Sequence, residues 1–103
     1  MKTFKKGQPI VLGMYHEDGG FSSTNADDFV LKLAYTFKPL DEWEIDTKVI
    51  DNNPFWWTEP FYLFKSGDYI FHWINENEDI DVKEMFRVEN DYYEGGNQGK
   101  IIL

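Results

Sequence analysis

Two adjacent tryptophans mark the segment of the sequence that is best suited to bind a ligand. The segment 51–62 reads DNNPFWWTEPFY, with Trp56 and Trp57 among five aromatic residues and two prolines. Successive side chains of a strand leave on opposite faces, so both indoles cannot enter one core. An exposed indole can cover the apolar C–H face of a sugar ring, and we expect Trp56 or Trp57 to be such a platform. The expected hydroxyl-binding residues beside it are Asp51, Asn52 and Asn53.

Other interpretations of the aromatic residues stay open at this point. Tyr92 and Tyr93 are candidates for a second wall of the same groove. Tryptophan and tyrosine are also enriched in protein–protein hot spots. An equal alternative is that loops of the same chain cover both indoles. The prolines at 54 and 60 predict an edge strand. Through such an edge a second copy of the chain could pair to form a homodimer.

Residues that carry out catalysis or bind metal ions form no recognisable pattern. The chain has two histidines, His16 and His72, and no cysteine. It lacks the nucleophile elbow and the phosphate-binding glycine loop. The acidic run 75–81 departs from a calcium-binding loop because Ile80 stands where glycine is required, although a looser loop site stays open. We predict no enzyme, no catalytic residue, no metal ion and no cofactor; an enzyme would need His72 in a cleft beside two carboxylates.

Acidic residues dominate the second part of the chain. Residues 1–40 carry five basic and four acidic side chains, whereas residues 41–103 carry five basic and fifteen acidic ones. The net charge of −9 disfavours direct binding to nucleic acid, whose phosphates would repel the protein. The acidic part predicts a solvated face or a contact with a basic protein partner. The alternative function is therefore a small acidic protein that binds or inhibits another protein, such as a phage-encoded mimic of nucleic acid.

Length and hydropathy predict one domain over residues 1–103. The apolar stretch Ile10-Val11-Leu12 stops at Gly13 and is too short for a signal peptide. No stretch approaches the length of a membrane span, so we expect no membrane insertion. The lack of cysteine and of a targeting segment predicts a cytoplasmic protein.

Alternating side chains predict strands along most of the chain. Residues 29–37 alternate over nine positions, and residues 43–50 repeat the pattern. Residues 69–74 are bulky on both faces, which predicts a central strand. Weaker strand candidates are 10–16, 61–64, 82–88 and 100–103. Turn residues separate these segments, and about seven strands at this spacing predict an all-β fold, an antiparallel immunoglobulin-like β-sandwich.

Tyr69 opens a strand directly after the turn Ser66-Gly67-Asp68. In immunoglobulin-like sandwiches a tyrosine at this place bonds its hydroxyl to nearby backbone. We expect most aromatic residues on alternating strand faces to be core. These are Phe29, Tyr35, Phe37, Trp43, Tyr69, Phe71 and Trp73.

Two stretches of the sequence resemble the carbohydrate-binding C-terminal domain of O-antigen ABC exporters of the Wzt type. The first is FVLKLAYTFKPL at 29–40, which is similar to a strand of that domain with its tyrosine and its Pro-Leu exit. The second begins at Gly67-Asp68-Tyr69, continues through MFRVENDYYEGG at 85–96 and ends with GKIIL at 99–103. The resemblance implies a non-catalytic β-sandwich that recognises a glycan in a surface groove. The sequence departs from the family in lacking an ATPase domain, and no binding residue is carried over.

Overall fold

A computed structural model of the protein describes residues 1–15, 26–52, 54–96 and 99–103. Within these ranges lie ten strands and two short 3-10 turns, and no α-helix. The strands are β1 (Lys2–Lys6), β2 (Gly13–Tyr15), β3 (Val30–Tyr35), β4 (Trp43–Glu44), β5 (Val49–Asn52), β6 (Phe55–Thr58), β7 (Phe61–Tyr62), β8 (Gly67–Asn75), β9 (Ile80–Tyr92) and β10 (Lys100–Ile101). The 3-10 turns are Ala26–Asp28 and Glu76–Glu78. The predicted all-β class is confirmed. No helix in this part of the chain is long and apolar enough to cross a membrane.

Two larger sheets and one short strand pair organise the chain. The five-stranded sheet has the order β1-β9-β8-β3-β4, and the three-stranded sheet has the order β2-β6-β5. β1 runs parallel to β9, whereas every other neighbouring pair in these two sheets is antiparallel. β7 pairs with β10 in parallel. Because β8 lies between β9 and β3, the predicted central strand at 69–74 is confirmed.

The N-terminal segment contacts both sheets because it changes direction at Gly7. β1 pairs with β9 as far as Lys6, and Gly7 then takes a φ of 75°. The N–H of Gly7 donates to the carbonyl oxygen of Leu63 at 3.0 Å, and Ile10 bridges to Phe61. Glycine adopts a positive φ without steric cost, so this turn carries the chain from the five-stranded sheet to the three-stranded one.

Side chains from both sheets form one hydrophobic core. Phe71 of β8 stacks on Phe61 of β7 with 5.9 Å between ring centroids, and Trp56 of β6 meets Phe29 at 5.1 Å. Burying each large apolar side chain contributes about 1.5–3 kcal/mol. The fully buried large side chains are Trp56, Trp73, Tyr62, Tyr69, Phe61, Phe71, Phe86, Ile10, Leu12, Leu31, Leu33 and Leu63.

The expected bond of Tyr69 to nearby backbone is confirmed. Its ring is fully buried, and its hydroxyl donates to the carbonyl oxygen of Lys65 at 2.6 Å. The ring stacks on Phe86 at 5.4 Å and lies 5.1 Å from Tyr35. This bond fixes the turn that enters β8 against the core.

The expectation of one continuous strand at 43–50 is wrong. β4 belongs to the five-stranded sheet and β5 to the three-stranded one, so the chain passes between the sheets over 45–48. Ile45 and Val49 are nevertheless both buried in the common core. The alternation continues because both short strands turn the same side toward that core.

The expectation that Phe37 is a core residue is also wrong. β3 ends at Tyr35, and the N–H of Lys38 donates to the Tyr35 carbonyl oxygen at 2.9 Å to begin a turn. Phe37 lies in this turn and is 73% exposed, with its ring stacked on that of Tyr35. The period of two ends with the strand, although the sequence continues to alternate.

The predicted edge strand at 54–62 is wrong as well. β6 is the central strand of its sheet, paired with β2 on one side and β5 on the other. Pro54 and Pro60 lie outside β6. Neither therefore removes a backbone N–H donor from the hydrogen bonds that pair β6 with its neighbours. β6 therefore has no free edge for pairing with a second copy.

Candidate functional site

The two adjacent tryptophans separate onto opposite faces of β6, as the alternation predicts. Trp56 faces the core and is 2% exposed, with Phe29 against its ring. Trp57 faces outward and is half-buried. The expected platform role therefore cannot belong to Trp56, because its indole is enclosed by its own chain. Trp57 keeps the exposure that the role requires.

Trp57 lies down across the neighbouring strand β2. In the ladder Trp57 stands opposite Gly13, and a side-chain Cβ at Gly13 would overlap the Cε3, Cζ3 and Cη2 atoms of the indole. The six-membered ring thus occupies the space directly above the glycine backbone. The plane of the indole therefore lies along the surface of the sheet and does not project away from it. Gly13 therefore determines the orientation of the Trp57 indole.

Three strands present their outward side chains as regular rows, because antiparallel partners share a face. The first row is Tyr15, Phe55 and Asn52. The second row is Gly13, Trp57 and Ile50. The next outward positions are Val11, Glu59 and Lys48, where the N–H of Glu59 donates to the carbonyl oxygen of Lys48 at 2.9 Å. We call these three rows the aromatic face.

Aromatic rings on this face contact one another. Phe55 lies 5.5 Å from Trp57 with an interplanar angle of 32°, and Tyr15 meets Phe55 edge-on at 5.3 Å. Tyr15 is 59% exposed and Ile50 is 48% exposed. The result is a contiguous apolar surface on the sheet, with an amide at one corner and charged side chains at the opposite end.

A groove of about 500 Å³ adjoins the aromatic face beside β5. It is lined by Ile50, Lys48 and Glu59 of the face, and further by Asp46, Thr47, Pro60, Gly99 and Lys100. Nζ of Lys100 lies 2.7 Å from Oδ2 of Asp46, and this bond lowers the pKa of the Asp46 carboxyl. The groove therefore offers both donors and acceptors next to the apolar surface, without an excess of either charge.

The predicted hydroxyl-binding residues divide between the two faces of β5. Asn52 is exposed and stands opposite Phe55 in the first row. Asp51 is also exposed, but it stands opposite Trp56, so its side chain leaves on the other face of the sheet. The prediction for Asn53 lies outside the described residues. Of this group, the structure places Asn52 on the same face of the sheet as Trp57, one row away.

Tyr92 ends β9 of the five-stranded sheet, and Tyr93 follows it directly. The N–H of Tyr93 donates to the carbonyl oxygen of Lys6 at 2.9 Å, and the adjacent Gly7 bonds to Leu63. Leu63 is six residues beyond Trp57 along an extended segment, a separation of roughly 20 Å. Both tyrosines are exposed, and Lys6 Nζ lies 5.1 Å from the Tyr92 ring centroid. The structure does not bring them together with Trp57 as the expected second wall of one groove.

Seven residues of the aromatic face were not among the predicted binding residues: Val11, Gly13, Tyr15, Lys48, Ile50, Phe55 and Glu59. The alternation Val11-Gly13-Tyr15 marks one face of a strand, and a glycine inside a strand signals close approach of another group. Those two signals together identify β2 as a partner for a large side chain. They do not say that the large side chain is Trp57, since this depends on the pairing of β2 with β6.

Apart from the aromatic face, His72 forms a polar cluster on the outer face of the five-stranded sheet. Its Nδ1 lies 2.7 Å from Oε1 of Glu42, and its Nε2 faces Oδ1 of Asp81. The two carboxylates that catalysis would require are thus present, but each occupies one ring nitrogen. His16 lies outside the described residues. Within residues 1–15, 26–52, 54–96 and 99–103, no group of three or more His, Cys, Asp or Glu side chains could hold a metal ion.

Comparison of the chain with known protein families, curated proteins and solved structures finds no match.

Proposed function

We propose that the protein is a non-catalytic binding module with an immunoglobulin-like sandwich fold, and that it recognises a glycan on its aromatic face. The observation that carries the proposal is the position of Trp57, whose indole lies over Gly13 on the solvent side of the three-stranded sheet. Aromatic groups on rigid strands hold a ligand surface more accurately than groups on loops.

The order of the strands supports the immunoglobulin-like part of the proposal. In variable-type immunoglobulin sheets an additional strand extends a sheet of three antiparallel strands. Here β9-β8-β3-β4 follows such an order, and β2-β6-β5 contributes to the same core. The bond from Tyr69 to the Lys65 carbonyl oxygen lies at the corner where such folds place a tyrosine.

The chemistry of the aromatic face supports a sugar as ligand. Trp57, Phe55 and Tyr15 provide ring faces and edges for apolar C–H groups, while Asn52 supplies an amide at the border. A binding site of this kind combines apolar contact area with a few polar groups that fix orientation. The resemblance to the carbohydrate-binding domain of O-antigen exporters points to the same class of ligand.

The size of the face disfavours a protein as ligand. Three strands about 4.8 Å apart and four residue steps along them cover roughly 10 by 13 Å. A stable protein interface buries about 800 Å² of accessible surface on each partner, so it would have to extend well beyond these three rows. A few sugar rings fit the dimensions of the face.

A glycan array tests the proposal. The wild-type protein is expected to retain at least one glycan, and Trp57→Ala to lose it. Tyr92→Ala is the control, because it removes an exposed ring at the end of β9, in the other sheet. The proposal fails if no glycan is retained, or if Trp57→Ala retains the same glycans as the wild type. An equal loss with Tyr92→Ala would also contradict the proposal, because it would show that binding does not depend specifically on the aromatic face.

A second candidate function is binding of a basic protein partner at an acidic groove. This groove of about 420 Å³ lies on the outer face of the five-stranded sheet, where Asp28, Glu44 and Glu76 surround Lys32. Opposite charges across an exposed contact are screened by salt. A lysine-rich peptide should therefore bind the wild-type protein more weakly at high salt and should not bind the double variant Glu44→Gln, Glu76→Gln. Salt-insensitive binding, or no binding, counts against this function.

A further inference from the structure

We infer that the ligand is a neutral, linear chain of at least three sugar rings, which crosses Trp57 and continues over Ile50 into the groove beside β5. This inference rests on the proposed glycan-binding function and adds the length and charge of the ligand. It concerns one continuous surface made of the aromatic face and the adjoining groove.

Continuity of the surface is the first argument. Ile50 belongs both to the row of Trp57 and to the lining of the groove. Lys48 and Glu59 likewise belong to the third row of the face and to the groove. A chain that leaves the indole toward β5 therefore meets apolar contact first and polar groups next.

Size is the second argument. The aromatic face alone spans roughly 10 by 13 Å, and the groove adds about 500 Å³. Small-molecule sites have volumes of about 300–1,000 Å³, so the groove by itself accommodates a ligand larger than one sugar. A single ring on Trp57 would leave the groove unoccupied. A chain of three or more rings would use both parts.

Charge is the third argument. The groove contains two cationic side chains, Lys48 and Lys100, and two anionic ones, Asp46 and Glu59. Lys100 is already bound to Asp46 at 2.7 Å, and Lys48 and Glu59 stand side by side on the third row. An acidic chain would meet no unbalanced positive charge here, and the protein as a whole carries a net charge of −9. Hydroxyl groups, in contrast, can use donors and acceptors that lie next to each other.

The test is a glycan array that carries neutral and acidic linear chains in lengths from one to six units. We expect the glycans retained through Trp57 to be neutral and at least three units long. Calorimetry on the best-retained chain, shortened one unit at a time, should show at least a tenfold gain in affinity between one and four units. Glu59→Ala should remove most of this gain.

Glu89→Ala is the control, because it removes an exposed carboxylate from β9, in the other sheet. The inference is overturned if the glycans retained through Trp57 are acidic or are single sugars, or if affinity does not depend on length. It is also overturned if Glu59→Ala and Glu89→Ala behave alike. In these cases Trp57-dependent glycan binding remains, so the proposed function stands. If no glycan is retained through Trp57, the proposed function and the inference both fail.

Discussion

Nδ1 of His72 lies 2.7 Å from Oε1 of Glu42, and the other ring nitrogen of the same histidine faces Asp81. The imidazole is almost completely buried, although it points away from the core. The contact joins the segment before β4 and the first residues of β9 to the central strand β8. His72 thus links three neighbouring segments across the outer surface of the five-stranded sheet.

Removing the contacts of His72 with Glu42 and Asp81 should destabilise the protein. His72→Phe keeps a buried ring but leaves Glu42, whose side chain is 19% exposed, without its closest partner. We expect a loss of about 1–3 kcal/mol in the free energy of unfolding, measured by urea denaturation. Lys83→Ala is the control, since Lys83 is 52% exposed and 3.8 Å from the same carboxylate. Its effect should stay below about 1 kcal/mol. Equal stabilities of wild type and His72→Phe would contradict the role of His72.

The contacts of His72 show one limit of prediction from sequence. The sequence predicts that His72 lies in a strand. An enzyme would need this histidine beside two carboxylates. The sequence cannot say which two of nineteen acidic residues approach. Glu42 is thirty residues away in the chain and Asp81 nine, and both arrive through strand pairing. Contacts between distant strands depend on sheet order, which the alternation of side chains does not encode.

Local patterns, in contrast, were sufficient for much of the fold. The alternation in β3 and the bulky residues of β8 identified both strands, and the turn before Tyr69 identified its backbone bond. The same alternation could not show that the chain changes sheets between β4 and β5, because both strands face one core. At the candidate site, the sequence required Trp56 and Trp57 to separate. The pairing of β2 with β6 was needed to place Gly13 beneath Trp57.

The buried phenol of Tyr69 should make the protein sensitive to alkaline pH. Burial, with the neighbouring Tyr35 as a smaller cause, raises the pKa of Tyr69 above its ordinary value of about 10. The unfolded chain then releases this proton at a lower pH than the folded protein, so stability falls as the pH rises above about 10. Tyr69→Phe should show less of this fall, while losing about 1 kcal/mol at neutral pH with the bond to Lys65. Thermal melts at pH 7 and above pH 10 measure both effects.

Tyr15→Phe is the control for this experiment, because Tyr15 is 59% exposed. It should leave both the neutral stability and the alkaline fall unchanged. A fall of the same size in Tyr69→Phe as in the wild type would show that another group causes it.

Glu84 should lower stability at neutral pH relative to acidic pH. Its half-buried side chain faces the core side of β9, and burial raises the pKa of the carboxyl. Lys2 and the indole N–H of Trp73 oppose this change, but that N–H makes no hydrogen bond of good geometry. Because the folded protein holds the Glu84 proton more tightly, its contribution to stability is lost as the pH rises through the folded-state pKa.

Glu84→Gln removes this titration. The stability of the variant relative to wild type should therefore increase between acidic and neutral pH, as measured by thermal melts across that range. Glu89→Gln, an exposed position on the same strand, is the control and should show a smaller increase. A relative stability that stays constant or decreases with pH would contradict the burial of the Glu84 carboxylate.

Gly13→Ala should separate the orientation of Trp57 from the stability of the fold. Gly13 is not among the glycines with a positive φ, so its backbone accommodates alanine. The added Cβ would overlap the indole ring, which must lift away from β2. Gly96→Ala is the matched control, since nothing lies within 4 Å of a Cβ there. We expect Gly13→Ala to stay folded, to shift the tryptophan emission to longer wavelength, and to bind the retained glycan at least tenfold more weakly. Glycan affinity that is unchanged in Gly13→Ala would mean that the indole lying over the sheet is not the platform.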